Sequence, residues 1–241
     1  MKEKNYRKKL YSVYQEQHER IDSYSKQHLS KFFEGFSQRY SQIEFPPTEK
    51  AILDLGCGRG EFLEWLSSKG HINLTGVDIS PSSIGLANQL SNINYIKSDL
   101  IDFLKDSDRK FSLIHVKDVL EHLDKDEVLE FLELANKSLD SEGQLLMQVP
   151  NANGFNVNKI YYSDFTHETL FSERSLDQIL EYSNFKKVNY FPYRPIKYSL
   201  LSYFRYYAWL LFEIFLKATS SIELSSNVIV TLNLIAVAKK N

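Results

Sequence analysis

The sequence predicts a doubly wound α/β fold, a mostly parallel sheet with helices on both faces. Three observations predict it: short, nearly continuous apolar runs, helical stretches alternating with them, and a glycine-rich turn straight after the first run. Runs of this kind suit strands covered on both faces, and right-handed crossovers make the sheet doubly wound. With 241 residues, 43% apolar and 25% charged, the chain fits one sizeable domain with a real core.

Residues 1–42 carry Leu10, Val13, Tyr14, Ile21, Tyr24, Leu29, Phe32, Phe33 and Phe36 at mostly helical intervals, which predicts one or two amphipathic helices. Pro46-Pro47 ends that stretch, so an N-terminal helical segment, 1–46, precedes a main domain, 47–241. Five strands are then expected at AILDLG (51–56), LTGVDIS (74–80), INYIKSDL (93–100), FSLIHVKDVL (111–120) and QLLMQVP (144–150). Helices are expected over 62–69, near 82–90 and around 125–139. Two last strands, 185–193 and 227–240, suit a closing hairpin. Between them, residues 198–218 form the most apolar helical segment, yet they carry Arg205, Glu213 and Lys217. A spanning helix needs about 20 mostly uncharged residues, so no membrane span is expected.

The formal net charge of −2 supplies no positive field for a nucleic acid, and none is expected as a partner. A single cysteine, Cys57, excludes an internal disulfide, and no Cys/His group has zinc spacing. The N-terminus lacks the apolar core of a signal peptide, which completes the expectation of a cytoplasmic protein.

The sharpest signal is ILDLGCGRGEF, residues 52–62, where Asp54, Gly56, Gly58 and Gly60 link a strand to a helix. Alternating glycines let the backbone turn tightly and approach a ligand closely. The rival is the dinucleotide fingerprint G-x-G-x-x-G, but its last glycine is replaced by Glu61, the wrong charge beside a pyrophosphate. A cationic sulfonium without phosphate prefers acidic neighbours, and Asp54 is one.

This stretch resembles the first motif of class I S-adenosylmethionine-dependent methyltransferases, whose Rossmann-like sheet has seven strands. The resemblance implies S-adenosyl-L-methionine as cofactor, cradled by Gly56, Cys57, Gly58 and Gly60 beside Asp54. Asp78 and Ile79, at the end of the second strand, would meet the ribose, and Asp99 and Leu100 the adenine, with Lys117 at the fourth strand's edge. The competing readings are structural: Asp54 or Asp99 as a turn or helix-cap residue, and Cys57 as a small loop filler.

The ligand crevice of such a sheet lies beyond the carboxyl ends of its strands. If KDVLEHL begins a helix, Asp118, Glu121 and His122 converge there. His122 could act as general base, or the three could hold a divalent cation. The spacing resembles the Glu-x-x-Glu-His cluster of ubiquinone-pathway O-methyltransferases, with Asp118 in the first position. The metal-free reading is preferred; the bland one is a capping aspartate beside a surface Glu/His pair. The segment over 150–180 is dense in polar residues and should cover the acceptor, with Tyr161, Tyr162, Asp164 and His167 facing it. His167 is the rival base, or else a histidine bonded within the loop.

DFTHETLFSERSL resembles a segment of methyltransferases from bacterial cell-surface polysaccharide (O-antigen and capsule) clusters, which implies a sugar or glycan-precursor acceptor. The fourth strand lacks the Asn/Asp-Pro-Pro-aromatic motif of amino-methylating enzymes, so a hydroxyl is expected to be methylated. The alternatives are a metal-assisted quinone-type O-methyltransferase and a non-catalytic S-adenosylmethionine-binding scaffold. The aromatic helix is expected to pack on the body or on a second copy in a homodimer. Its other reading is peripheral membrane contact, helped by nine Lys/Arg against five Asp/Glu over residues 1–40.

Overall fold

A computed structural model of the chain describes Tyr6, Leu10 and residues 26–91, 93–224 and 228–241. Val13, Tyr14, Ile21, Tyr24 and Asn227 of the expected elements therefore lie outside the described residues. One sheet holds β1 (Ile52–Leu55), β2 (Leu74–Asp78), β3 (Asn94–Lys97), β4 (Phe111–Lys117), β5 (Leu139–Pro150), β6 (Phe185–Pro192) and β7 (Asn233–Lys240). Their order is β3-β2-β1-β4-β5-β7-β6. The first five strands are parallel, and β7 runs antiparallel between β5 and β6. The last two strands pair as expected, and the fold class is the doubly wound one. Strand order reverses between β1 and β4, which places the ligand crevice at their carboxyl ends.

The helices are α1 (Lys26–Arg39), α2 (Glu61–Ser68), α3 (Pro81–Ala87), α4 (Leu100–Asp106), α5 (Lys125–Ser138), α6 (Asn158–Tyr161), α7 (Glu173–Tyr182) and α8 (Leu200–Leu224). α4, α6 and α7 add to the helices the pattern predicts, and α6, at four residues, barely completes one helical period. Local chemistry starts several of them. Asp124 accepts from the Glu127 amide while Glu127 accepts from the Asp124 amide, a capping box that opens α5.

Alternate residues of each strand feed two cores. Leu53, Leu55, Ile114, Val116 and Met147 meet α5 and α7, whereas Ile52, Leu113 and Leu146 meet α1, α2 and α3. By the same alternation Asp54, His115, Lys117 and Gln148 share the α1 face, and register sets Asp54 beside His115 and Lys117 beside Gln148.

Two expectations are corrected. KDVLEHL does not begin an α-helix: Asp118 takes a left-handed φ of 54°, and only a 3-10 turn over Leu120–His122 follows. Much of the aromatic stripe of α8 faces away from the body, although Phe212 meets Phe155 edge-on at 4.9 Å between centroids. Leu200 is 93% and Leu211 72% exposed, with Phe204, Tyr207 and Phe215 also outward. What turns inward is Glu213, which is buried and accepts a bidentate pair from Arg194 at 2.8 and 2.9 Å and a contact from Lys217 at 3.1 Å. A buried carboxylate needs such partners, and it thereby decides which side of the helix faces in. Among the described residues no helix is long and apolar enough to cross a membrane.

Candidate active site

The loop from β1 to α2 bends through left-handed φ at Gly56, Gly58 and Gly60. A Cβ on Gly56 would lie 2.3 Å from Val119, and one on Gly60 2.2 Å from the Tyr95 hydroxyl, so neither position admits a side chain. Beyond Gly58 nothing lies within 4 Å. That open flank borders a cavity of about 170 Å³ walled by Asp54, Glu61, His115, Lys117 and two α1 rings, Phe32 and Phe36.

Asp78 Oδ2 accepts from the Gly58 amide and Oδ1 from the Ser80 amide, both at 2.8 Å, so it also braces the glycine loop. Burial raises its carboxyl above the usual range. Ile79 beside it is exposed. Asp99 caps α4, its Oδ1 accepting from Ile101 and Asp102, and Leu100 is partly buried against the core. Cys57 is buried against Gly76, its thiol held neutral by burial and by the Asp54 charge, which suits a loop filler and not a nucleophile.

Asp54 is neither a cap nor a turn residue. It is 2% exposed and sits 2.6 Å from His115 Nδ1, whose Nε2 lies 3.0 Å from the Tyr40 hydroxyl. A carboxylate only accepts, so Nδ1–H donates to Asp54, and Nε2 shares a hydrogen bond with the Tyr40 hydroxyl. Phe62 stacks on the imidazole at 3.7 Å between centroids. Burial holds the Tyr40 phenol well above its ordinary range, so its proton stays on, and the buried chain of contacts ties the residue that follows α1 to β4 and β1.

Beyond β4, the donor atoms of Glu121, His122 and His167 lie within 4.8 Å of one another. Asp118 is absent from the group, because its left-handed turn aims it at Lys117 Nζ, 2.5 Å, and Gln148 Nε2, 2.7 Å. His167, from the segment after β5, takes the third place. The Thr166 hydroxyl donates to Asp164 at 2.7 Å, so His122 Nδ1 donates to Thr166 Oγ1 at 2.8 Å. His167 Nδ1 donates to the Tyr161 carbonyl at 3.0 Å. In neutral His122 the imidazole lone pair is then on Nε2. Burial and the neighbouring His167 hold His122 down to about 4, so it is neutral at pH 7. Burial, then the Asp118 charge, push Glu121 up to about 8, and its Oε2 has no hydrogen-bond partner among the described residues. Tyr162 is exposed and Tyr161 is half-buried.

His115, Tyr40, Gln148, Thr166 and Arg39 escape a reading by motif. A histidine inside the strand FSLIHVK was the one signal, since a buried imidazole requires polar partners.

A family model described as "Methyltransferase domain" matches residues 14–190. Over 90 residues the chain is 38% identical to the ubiquinone biosynthesis O-methyltransferase of Coxiella burnetii, covering 35% of this chain and 38% of that protein. Over 69 residues it is 38% identical to EEF1A lysine methyltransferase 2 of Homo sapiens, covering 27% and 29%. The chain thus spans well under half the length of the curated relatives it matches. A crystal structure of a SAM-dependent methyltransferase from Archaeoglobus fulgidus shares its fold, with a TM-score of 0.65 at 23% identity over 95% of this chain and 99% of the other. The family model covers most of the sequence, and the chain belongs to the methyltransferase-domain family.

Proposed function

We propose that this methyltransferase uses S-adenosylmethionine to methylate a hydroxyl of a small acceptor, a sugar or glycan precursor of surface-polysaccharide synthesis. The observation that carries the cofactor half is the cradle itself: left-handed glycines beside an open flank, lined by Asp54 and Glu61 and closed by α1 rings. Acidic walls suit a cationic sulfonium and oppose a pyrophosphate. When bound, the cofactor supplies the methyl group on sulfur. In this reading Gly56, Cys57, Gly58 and Gly60 present backbone to it, Asp54 and Lys117 border it, Asp78 and Ile79 meet its ribose and Asp99 and Leu100 its adenine.

His122, neutral with its lone pair on Nε2, accepts the hydroxyl proton, with His167 as the rival base and Glu121 and Asp118 behind them. Orientation supplies most of the barrier reduction in a single in-line displacement, so a modest base suffices. The polysaccharide assignment leans on the segment around His167. The two curated relatives are named for an oxygen and a lysine acceptor, so the shared stretch identifies no acceptor atom.

A second reading is a quinone-type O-methyltransferase with a divalent cation. The convergence of Glu121, His122 and His167 around an unpartnered carboxylate oxygen favours it, as does the name of the Coxiella relative. The outward apolar side of α8 supports peripheral contact with the inner face of the membrane, or a second copy of the chain.

The test is calorimetric titration with S-adenosylmethionine and, separately, with NAD. Micromolar binding of the former alone, lost in Asp78→Ala, supports the reading, and no binding overturns it. Methyl transfer to sugar acceptors, with and without chelator, then separates the base from the metal reading. A His122→Ala/His167→Ala double variant that binds cofactor and stays fully active removes both histidines from the mechanism. Co-sedimentation with anionic vesicles, against the mass in solution, separates membrane from dimer.

A further inference from the structure

A second cavity, about 300 Å³, shares Lys117, Phe32 and Phe36 with the glycine-loop cavity and reaches the size of a small-ligand site. Its charge is opposite. Lys31, Arg39 and Lys117 line it, and among the described residues no carboxylate does. Lys117 is paired with Asp118, but Arg39 forms no ion pair with a carboxylate among the described residues. Its guanidinium is instead held in place, 3.7 Å over the Tyr193 ring and with Nε donating to the Arg194 carbonyl at 3.3 Å. A half-buried, oriented and unpaired guanidinium fits an oxyanion, which a planar fork binds best.

The second feature is Gln148, 1% exposed, in the same wall. Its Nε2 donates to Asp118 Oδ1 at 2.7 Å, which orients the amide and leaves Oε1 buried with no hydrogen-bond partner among the described residues. An orphaned buried acceptor requires a donor, and a ligand hydroxyl is the neutral donor that suits it.

We propose that this cavity binds the methyl acceptor by a phosphoryl group on Arg39 and Lys31, while a hydroxyl of the same molecule donates to Gln148 Oε1. The acceptor class is therefore a phosphorylated sugar or polyol. This rests on the methyltransferase reading above. The acidic wall takes the cationic cofactor, the basic wall takes the anionic acceptor, and Lys117 stands between them. Gln148 is a positioning residue that anchors a hydroxyl other than the one methylated, since a carboxamide removes no proton and each hydroxyl has only one hydrogen to donate.

The experiment is calorimetry on the full chain saturated with S-adenosylhomocysteine, titrated with inorganic phosphate, glucose 1-phosphate and glucose. Phosphate is expected to bind at one site, weakened at least tenfold by Arg39→Gln and further by added salt. Glucose 1-phosphate is expected to bind tighter than phosphate, and Gln148→Met to remove that increment while leaving phosphate binding in place. Glucose alone is expected not to bind.

Phosphate that does not bind, or binds equally to Arg39→Gln, overturns the proposal. Glucose 1-phosphate no tighter than phosphate overturns the role of Gln148. Affinity for S-adenosylhomocysteine is read in every variant: its loss from the wild type refutes the methyltransferase reading, whereas its retention with no phosphate binding refutes only the acceptor pocket.

Discussion

Replacing Glu121 with glutamine should make the protein more stable above neutral pH, although Glu121 is a buried acid at the heart of the candidate centre. Burial and the Asp118 charge push its carboxyl from an ordinary 4.5 up to about 8. Between those values the folded state holds a proton that the unfolded chain has released, so stability falls as pH rises. From pH 7 to pH 9 the folded carboxyl loses that proton while the unfolded one is already ionised. The loss is worth on the order of 1 kcal/mol, for the pH unit that lies below 8. His122, held down to about 4, is neutral throughout this window. Glutamine keeps the shape, carries no charge at any pH and resembles the protonated acid. Urea unfolding in chelator at pH 7 and 9 should show the wild type losing on the order of 1 kcal/mol relative to Glu121→Gln. Parallel pH profiles for the two proteins would refute the account of Glu121 as an acid kept protonated by its surroundings.

His115→Leu strands the Asp54 carboxylate and the Tyr40 hydroxyl inside the fold, a cost of about 2–4 kcal/mol in urea unfolding, with His115→Gln recovering part of it. Gly60→Ala drives a Cβ to 2.2 Å from the Tyr95 hydroxyl at a φ of +84°; cofactor binding by calorimetry should fall at least tenfold, with about 1–3 kcal/mol of stability lost. Glu213→Ala leaves the Arg194 guanidinium without its bidentate partner, so α8 should detach first, seen as faster limited proteolysis within 198–224 while unfolding of the sheet changes by under about 2 kcal/mol. Zinc or manganese should raise the melting temperature of the wild type and not of a His122→Ala/His167→Ala variant if the Glu121 cluster takes a cation.

The alternation of apolar runs with helical stretches and the glycine turn of ILDLGCGRGEF were enough to determine the sheet class, and they pointed to the carboxyl ends of its strands as the place for a ligand. Both are local signals: strand burial on two faces and a backbone that must turn without Cβ atoms are written in consecutive residues. The strand-end acids Asp78 and Asp99 were legible for the same reason, as was the preference of Cys57 for a filler's place. Only the tertiary structure decided that Asp54 faces His115, because parallel register, and not sequence distance, pairs residues 54 and 115. It also exchanged Asp118 for His167 in the Glu121 and His122 cluster, since one left-handed residue turned Asp118 toward Lys117 and Gln148 while the segment after β5 returned over β4. The orientation of α8 was likewise hidden: a helical wheel groups its apolar residues but cannot say whether they or Glu213 meet the body, and Arg194, far along the chain, settles that by pairing with the carboxylate. Period and motif read contacts made between neighbours in the chain, whereas charge pairing across the sheet depends on which strands the crossovers bring together.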